Sequence, residues 1–274
     1  MRTAEAVIYV KKRPHRMKVS IIIPCYNHGK YIQEAIVSVE QNAENLSYEI
    51  IIINDGSTDE FTISKLEELK LKGYTVIQQE NLGLATARNN GIIASSGEYV
   101  IPLDSDNILH KNYLTKAIQI LDKNSGIDIV YGNRMYFGKE EGLRSIGEFS
   151  FSRIIRYNYI DACAVFRRTL WEKLGGYDPN MPAMGHEDWE FWLHSYLSGA
   201  NFYYLDDICF YYRVLPNSMS ELVTDPGFES NRAYIYNKYC GDIIEKLAIS
   251  HDLLTYIRNN KIKSITKLIL GIRI

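Results

Sequence analysis

Four aliphatic runs, each followed by a segment of helical spacing, restrict this chain more than any other feature. VSIIIPCY (19–26), EIIIIND (49–55), TVIQQ (75–79) and YVIPLD (99–104) are rich in β-branched side chains. The first two are apolar at consecutive positions. A strand with one wet face alternates, whereas an uninterrupted apolar run needs both faces covered, as in a parallel sheet between helical layers. KYIQEAIVSVEQ (30–41), DEFTISKLEELKLKG (59–73) and LATARNNGIIASS (84–96) supply the helices, giving a β-α-β-α-β-α-β series. Beyond residue 127 the pattern loosens. IDIVYG and ACAVFRR (162–168) read as strands, and NFYYLD and ICFYYR as a pair of strands. EDWEFWLHSYLSG (187–199) reads as a helix, with Trp189, Trp192, Leu193, Tyr196 and Leu197 on one apolar face. After residue 226 the chain reads as helical.

The 274 residues, 46% of them hydrophobic, suffice for one large domain or a domain plus an appendage. With 31 basic and 33 acidic side chains the formal net charge is −2, which gives no drive toward nucleic acid. Cys25, Cys163, Cys209 and Cys240 are scattered, without a CxxC pair, so reduced thiols in a cytoplasmic protein are expected. The N-terminal AVIYV is too short for a signal core and precedes its basic residues, and no run has the length of a membrane span.

Ligands of parallel α/β sheets bind beyond the carboxyl ends of the strands. PCYN, NDGSTD and DSD stand at three such ends, so they converge on one rim. If the strand persists, Asp104 and Asp106 point to the same side and offer hard oxygens to Mg²⁺ or Mn²⁺. A solvated turn is the competing reading, since Asp, Ser and Asn are turn residues. Ser57 or Thr58 is expected to cap the following helix, while Asp55 ends an apolar strand and would accept from the imide N–H of a uracil ring. Glu187 and Asp188 open the aromatic helix, either to compensate its dipole or as carboxylates whose dry setting raises the pKa toward that of a general base. No GxGxxG follows the first strand, which argues against a dinucleotide site.

Taken together, residues 18 to 220 resemble the family 2 glycosyltransferases of the GT-A fold. The resemblance lies in VSIIIPCYNHGKYIQEAIVSV, EIIIINDGSTDE, NLGLATARNNGIIASSGEYVIPLDSDN and MGHEDWEFWLH, in that order. It implies a GT-A-type α/β fold: a mainly parallel sheet flanked by helices, with a helical C-terminal extension. By resemblance, Pro24, Tyr26, Asn27 and Asp55 would surround the nucleotide, and Arg88 would approach the base or diphosphate. Asp104 would contact the ribose or a metal-bound water, Ser105 would share the donor site, and Asp106 would ligate the divalent metal. Asp188 would be the catalytic base, with Glu187 positioning donor or acceptor. The implied reaction is inverting transfer from a nucleotide sugar, with UDP the favoured nucleotide, to a hydroxyl of a glycan or lipid-linked acceptor.

The expected divisions are a tail at 1–17, a catalytic domain at 18–225 (donor half 18–107, acceptor half 108–225) and a helical extension at 226–274. Many relatives carry a His two residues after the Arg of FYYR, where this chain has Leu215, and many have Arg where His194 stands. A third protein ligand to the metal is therefore missing from the expectation. After Asp252 no acid remains while Arg and Lys accumulate, so 253–274 would either rest on an anionic membrane surface or dock on the domain. Two rivals stand beside transfer: a nucleotidyltransferase, for which PCYNHGK is a poor triphosphate loop, and a glycan- or nucleotide-binding module without turnover.

Overall fold

The computed structural model describes residues 18–43, 46–215 and 226–259, with backbone only for 226 and 250–258. The N-terminal tail, residues 216–225 and the basic tail beyond residue 259 lie outside the described residues.

β1 (Val19–Cys25) and β2 (Tyr48–Asp55) form the centre of a parallel unit with β3 (Thr75–Gln79) and β4 (Tyr99–Pro102), in the order β3-β2-β1-β4. Alternate residues of the apolar runs serve opposite layers. Val19, Ile21 and Ile23 pack with α1 (Ile32–Asn42), α2 (Glu60–Leu71) and α4 (Tyr113–Lys123), whereas Ile22, Ile51 and Ile53 pack with α3 (Leu84–Ala94). On α3, a Cβ at Gly91 would collide with Ile22, so this helix lies close on β1.

The sheet continues past β4 with mixed directions. β8 (Val165–Arg167) runs antiparallel to β4 and to β6 (Ile129–Gly138), and β7 (Gly142–Arg144) forms a hairpin with β6. β9 (Phe202–Val214) lies parallel to β6 and antiparallel to the short β5 (Ile108–Leu109), giving nine strands among the described residues. The expected pair of strands at 201–213 is thus one strand. Its register against β6 shifts around Asn133, so Asp206 and Asp207 are absorbed as an irregularity rather than a turn.

α5 (Phe151–Ile154), α6 (Arg168–Leu174), α7 (Glu187–Leu197) and α8 (Pro226–Asn259) complete the second layer. α7 is buried nearly all round, so Trp189 and Trp192 are core and give their indole N–H groups to the carbonyls of Ile154 and Ile160. Neither tryptophan is free to stack on a sugar. Among the described residues no helix is long and apolar enough to cross a membrane. Cys25, Cys163 and Cys209 are buried free thiols, and Cys240 is an exposed one.

Candidate functional site

β4 stops at Pro102, so Asp104 and Asp106 do not lie on an extended strand, and the same-side argument from strand geometry does not apply. They occupy a turn closed by the Asn107 N–H donating to the Asp104 carbonyl at 3.0 Å. The turn still brings both acids, with Ser105, into the wall of one cavity of about 450 Å³. Pro24, Cys25, Tyr26, His28 and Asp55 from the ends of β1 and β2 line it, together with Leu84, Met184, Tyr212, Arg213 and Leu215.

Arg213 holds the turn from β9. Its Nε donates to the Asp106 carbonyl at 3.0 Å, its backbone N–H to Asn107 Oδ1 at 3.0 Å, and Nη2 to Glu34 on α1 at 2.9 Å. Burial, with the neighbouring Asp104 charge, pushes the Asp106 carboxyl up to about 7; Arg213 opposes this only in part. His28 Nδ1 lies 3.9 Å from Asp106 Oδ2, and burial lowers its pKa, so at neutral pH it does not supply the missing cation.

Asp55 sits at the end of β2 as expected, nearly buried, and lines the cavity. Its Oδ1 accepts from Gln79 Nε2 at 2.7 Å and Leu82 N–H at 2.9 Å, and Oδ2 from Gly83 N–H at 3.1 Å. Oδ2 therefore keeps a lone pair for a further donor. Cys25 is buried at the same rim, and burial raises its thiol to about 11, so it packs as a small hydrophobe.

Two expected donor residues stand elsewhere. Asn27, in the left-handed region at φ 55°, does not line the cavity. Its Oδ1 accepts from the N–H groups of Thr58 and Asp59 at 2.8 and 3.0 Å, so it clamps the loop into α2. The α2 cap is Asp59, not Ser57 or Thr58: its carboxylate accepts from Thr62 N–H and Oγ1. Arg88, only 2% exposed, lies beneath the cavity rather than in its wall. Its Nη2 donates to Asp104 at 2.8 Å and its Nη1 to Glu187. Burial disfavours its charge, but the two carboxylates more than restore it.

Arg88 thus ties the acids of the turn to those of α7. Replacing it by Ala leaves Glu187 and Asp104 without their partner, and the expected loss is about 3–5 kcal/mol of stability, read as a fall in the urea midpoint. A loss below about 1 kcal/mol would mean that water reaches both acids.

Glu187 lines a second, smaller cavity of about 160 Å³ that shares Leu84 and Met184 with the first. Asp188 lines neither. Half-buried, it accepts from Asn158 Nδ2 and from its own neighbour's N–H on Trp189, both at 2.8 Å. Burial and the adjacent Glu187 raise its carboxyl to about 7, against the lowering effects of Arg88 and Asn158. Sequence reasoning did not single out Asp161. It bonds the Cys163 N–H at 2.9 Å, lies 3.5 Å from Arg134, and adds its charge to those of Asp104 and Asp188. Nor did it assign work to Arg213, Tyr212 or Met184. FYYRV carried the signal for Arg213, because an arginine ending a strand beside the rim has an acidic turn within reach.

Among the described residues no group of three or more His, Cys, Asp or Glu side chains could hold a metal. Asp104 and Asp106 nevertheless fit a hard divalent cation that takes one or two carboxylates and completes its shell with phosphate and water. The uncompensated Asp106 carboxylate is the observation that fits it.

The family profile described as Glycosyl transferase family 2 matches residues 20–204. An uncharacterized glycosyltransferase of Rickettsia bellii is 36% identical over 170 residues, covering 60% of this chain and 24% of the relative. One of Haemophilus influenzae is 43% identical over 113 residues, covering 40% and 34%. The match therefore spans about a quarter to a third of those relatives. Among solved structures, S. aureus TarS 1–349 in complex with UDP is similar at a TM-score of 0.61 and 26% identity, covering 73% of this chain and 61% of that one. The mannosyltransferase PcManGT of Pyrobaculum calidifontis, in complex with GDP-Man and Mn²⁺, shares the fold at a TM-score of 0.57 and 17% identity, covering 88% and 81%.

Proposed function

The chain belongs to glycosyl transferase family 2 and has a GT-A-like mixed α/β fold with a helical C-terminal extension, and from that premise we propose that it transfers a sugar, with inversion, from a UDP-sugar to a hydroxyl of a glycan or lipid-linked acceptor. The observation that carries the reading is the convergence of Asp55, Asp104, Ser105 and Asp106 on one cavity, with Glu187 joined to Asp104 through Arg88. In this reading residues 18–107 form the donor half, 108–225 the acceptor half and 226–274 an extension.

Asp55 accepts a hydrogen bond from the uracil imide N–H on the lone pair left at Oδ2, and Pro24 and Tyr26 wall the nucleotide. Asp106, with Asp104 beside it, would hold the divalent metal. When bound, the metal neutralises charge on the departing diphosphate. Arg88 acts from below, keeping Asp104 and Glu187 at a fixed separation rather than touching the donor.

Asp188 removes the acceptor hydroxyl proton as that oxygen attacks the anomeric carbon. The bond to the diphosphate breaks on the opposite face, so configuration inverts and no glycosyl-enzyme intermediate forms. A pKa about 7 suits a base that must be ionised yet still attract a proton. The thiol of Cys25 has no part in this.

The test is calorimetric titration of the full chain with UDP, GDP and dTDP, with and without Mn²⁺. UDP is expected to bind, and only with the metal. Binding of GDP alone would move the donor to another nucleotide. No binding of any nucleotide would end the reading.

A further inference from the structure

α7 begins without a cap of its own. Its N-cap residue, His186, has φ 65° and follows Gly185 at φ 92°; its side chain does not cap the helix, and Asp188 serves only the Trp189 N–H from within the first turn. Two consecutive left-handed residues turn the chain sharply into Glu187 and Asp188. Such a turn needs outside support, because a non-glycine residue in that region is strained.

The support comes from Asn231 on α8, a completely buried side chain beyond the 20–204 stretch of the family match. Its Oδ1 accepts from the Ala183 N–H at 2.9 Å. Its Nδ2 hydrogens are shared among the carbonyls of Ala183 and Gly185, at 3.1 and 3.0 Å, and Nδ1 of His186 at 3.2 Å. Phe228, one turn earlier, stacks on Trp189 at 5.6 Å with the rings 8° from parallel, and meets His186 edge-on at 5.4 Å. Further along α8, Lys238 bonds Asp178 ahead of the turn at 2.6 Å and Glu190 behind it at 2.8 Å. The turn is therefore gripped from α8 on both sides and at its centre.

We infer that Asn231 is a positioning residue for the transfer reaction: from α8 it sets the 183–186 turn, and with it Met184 in the wall of the nucleotide cavity and Glu187 and Asp188 at the head of α7. Asn231 touches neither cavity. It acts through the backbone of a turn whose two ends are at the donor and at the proposed base. The chemistry it serves rests on the function proposed above, but the geometry does not, and the experiment separates the two.

The full chain is compared as wild type, Asn231→Ala and Ile235→Ala. Ile235 is a completely buried core residue one turn along the same helix and makes no hydrogen bond to the turn through its side chain. Amide hydrogen exchange is followed without ligand in peptides covering 183–190, and the Asp188 carboxyl is titrated by ¹³C NMR. Exchange of these amides should accelerate about tenfold in Asn231→Ala and hardly change in Ile235→Ala. The Asp188 midpoint should fall from about 7 in the first variant only, because a loosened turn admits water. If Asn231→Ala does not fold, Asn231→Ser, which adds no charge and cannot reach the Ala183, Gly185 and His186 partners together, is held to the same expectation. Unchanged exchange, or the same acceleration and the same midpoint shift in Ile235→Ala, would overturn the inference, because α8 would then be a cover and nothing more. A wild type that binds none of the nucleotides would overturn the proposed function and leave the exchange result standing.

Discussion

Asp188→Asn lowers the transfer rate about 10²–10⁴-fold, the usual effect of losing a general base, while UDP affinity stays within about twofold of wild type. The substitution keeps the size of the side chain and removes its ability to take a proton. Because Asp188 lines neither cavity, nucleotide binding has no reason to follow the rate. The pH profile gives the same residue a second signature. Burial first, then the Glu187 charge, raises the Asp188 carboxyl to about 7, and only the ionised form is a base. In wild type kcat/KM therefore rises about tenfold per pH unit on the acid side and levels off above pH 7, whereas the residual rate of Asp188→Asn lacks this limb. Steady-state transfer measured between pH 5 and 9 checks both. A variant that keeps the wild-type rate would remove Asp188 from the mechanism.

Asp106→Asn abolishes the metal-dependent part of UDP binding, by at least the roughly 10–100-fold that even outer contacts of a metal site contribute. The variant is expected to bind UDP no better with Mn²⁺ than without it. The same variant has an opposite effect on the free protein. The Asp106 carboxyl is raised in the fold from 3.8 to about 7, by burial and then by Asp104. Between those values the folded chain holds more protons than the unfolded one, so metal-free stability falls as pH rises. Asn carries no such charge. Metal-free Asp106→Asn should melt above wild type at pH 8 and equal to it near pH 4, and the order should reverse when Mn²⁺ and UDP saturate the wild type. A variant that is less stable at pH 8 without metal would mean that Asp106 already has its charge compensated within the chain.

The parallel half of the fold was legible because its signal is local. Consecutive apolar residues in β1 and β2 can be buried only between two layers, and the observed split of Ile21 and Ile23 from Ile22 is that requirement met. The second half was less legible because its order depends on distant partners. β9 looked like two strands, since Asp206 and Asp207 interrupt its apolar pattern, and only pairing with β6 and β5 makes it continuous. The site divides in the same way. Rim acids announce themselves at strand ends, whereas Arg88, Asn27 and Arg213 have roles set by what folds against them. Asn27 and Arg88 stand within the expected motifs, yet their side chains are engaged by Thr58, Asp59, Asp104 and Glu187. α7 gave its aromatic face correctly but concealed that Glu190, on its other side, is also buried, in contact with Lys238 and Tyr239 of α8.

The grip of Arg213 on the acidic turn has a consequence for how the chain acquires its shape. The contact joins residue 213 to Asp106 and, across 179 positions, to Glu34. Closure over so long a separation costs chain entropy before any contact rewards it, and pairings of this kind slow folding. During synthesis every strand of the parallel unit leaves the ribosome before β9 does. The first hundred residues can collapse early, but their acidic rim acquires its last fastening only when β9 arrives. Completion of the acidic cavity is in this sense a late event of folding, although every described acid that lines it was translated in the first 106 positions.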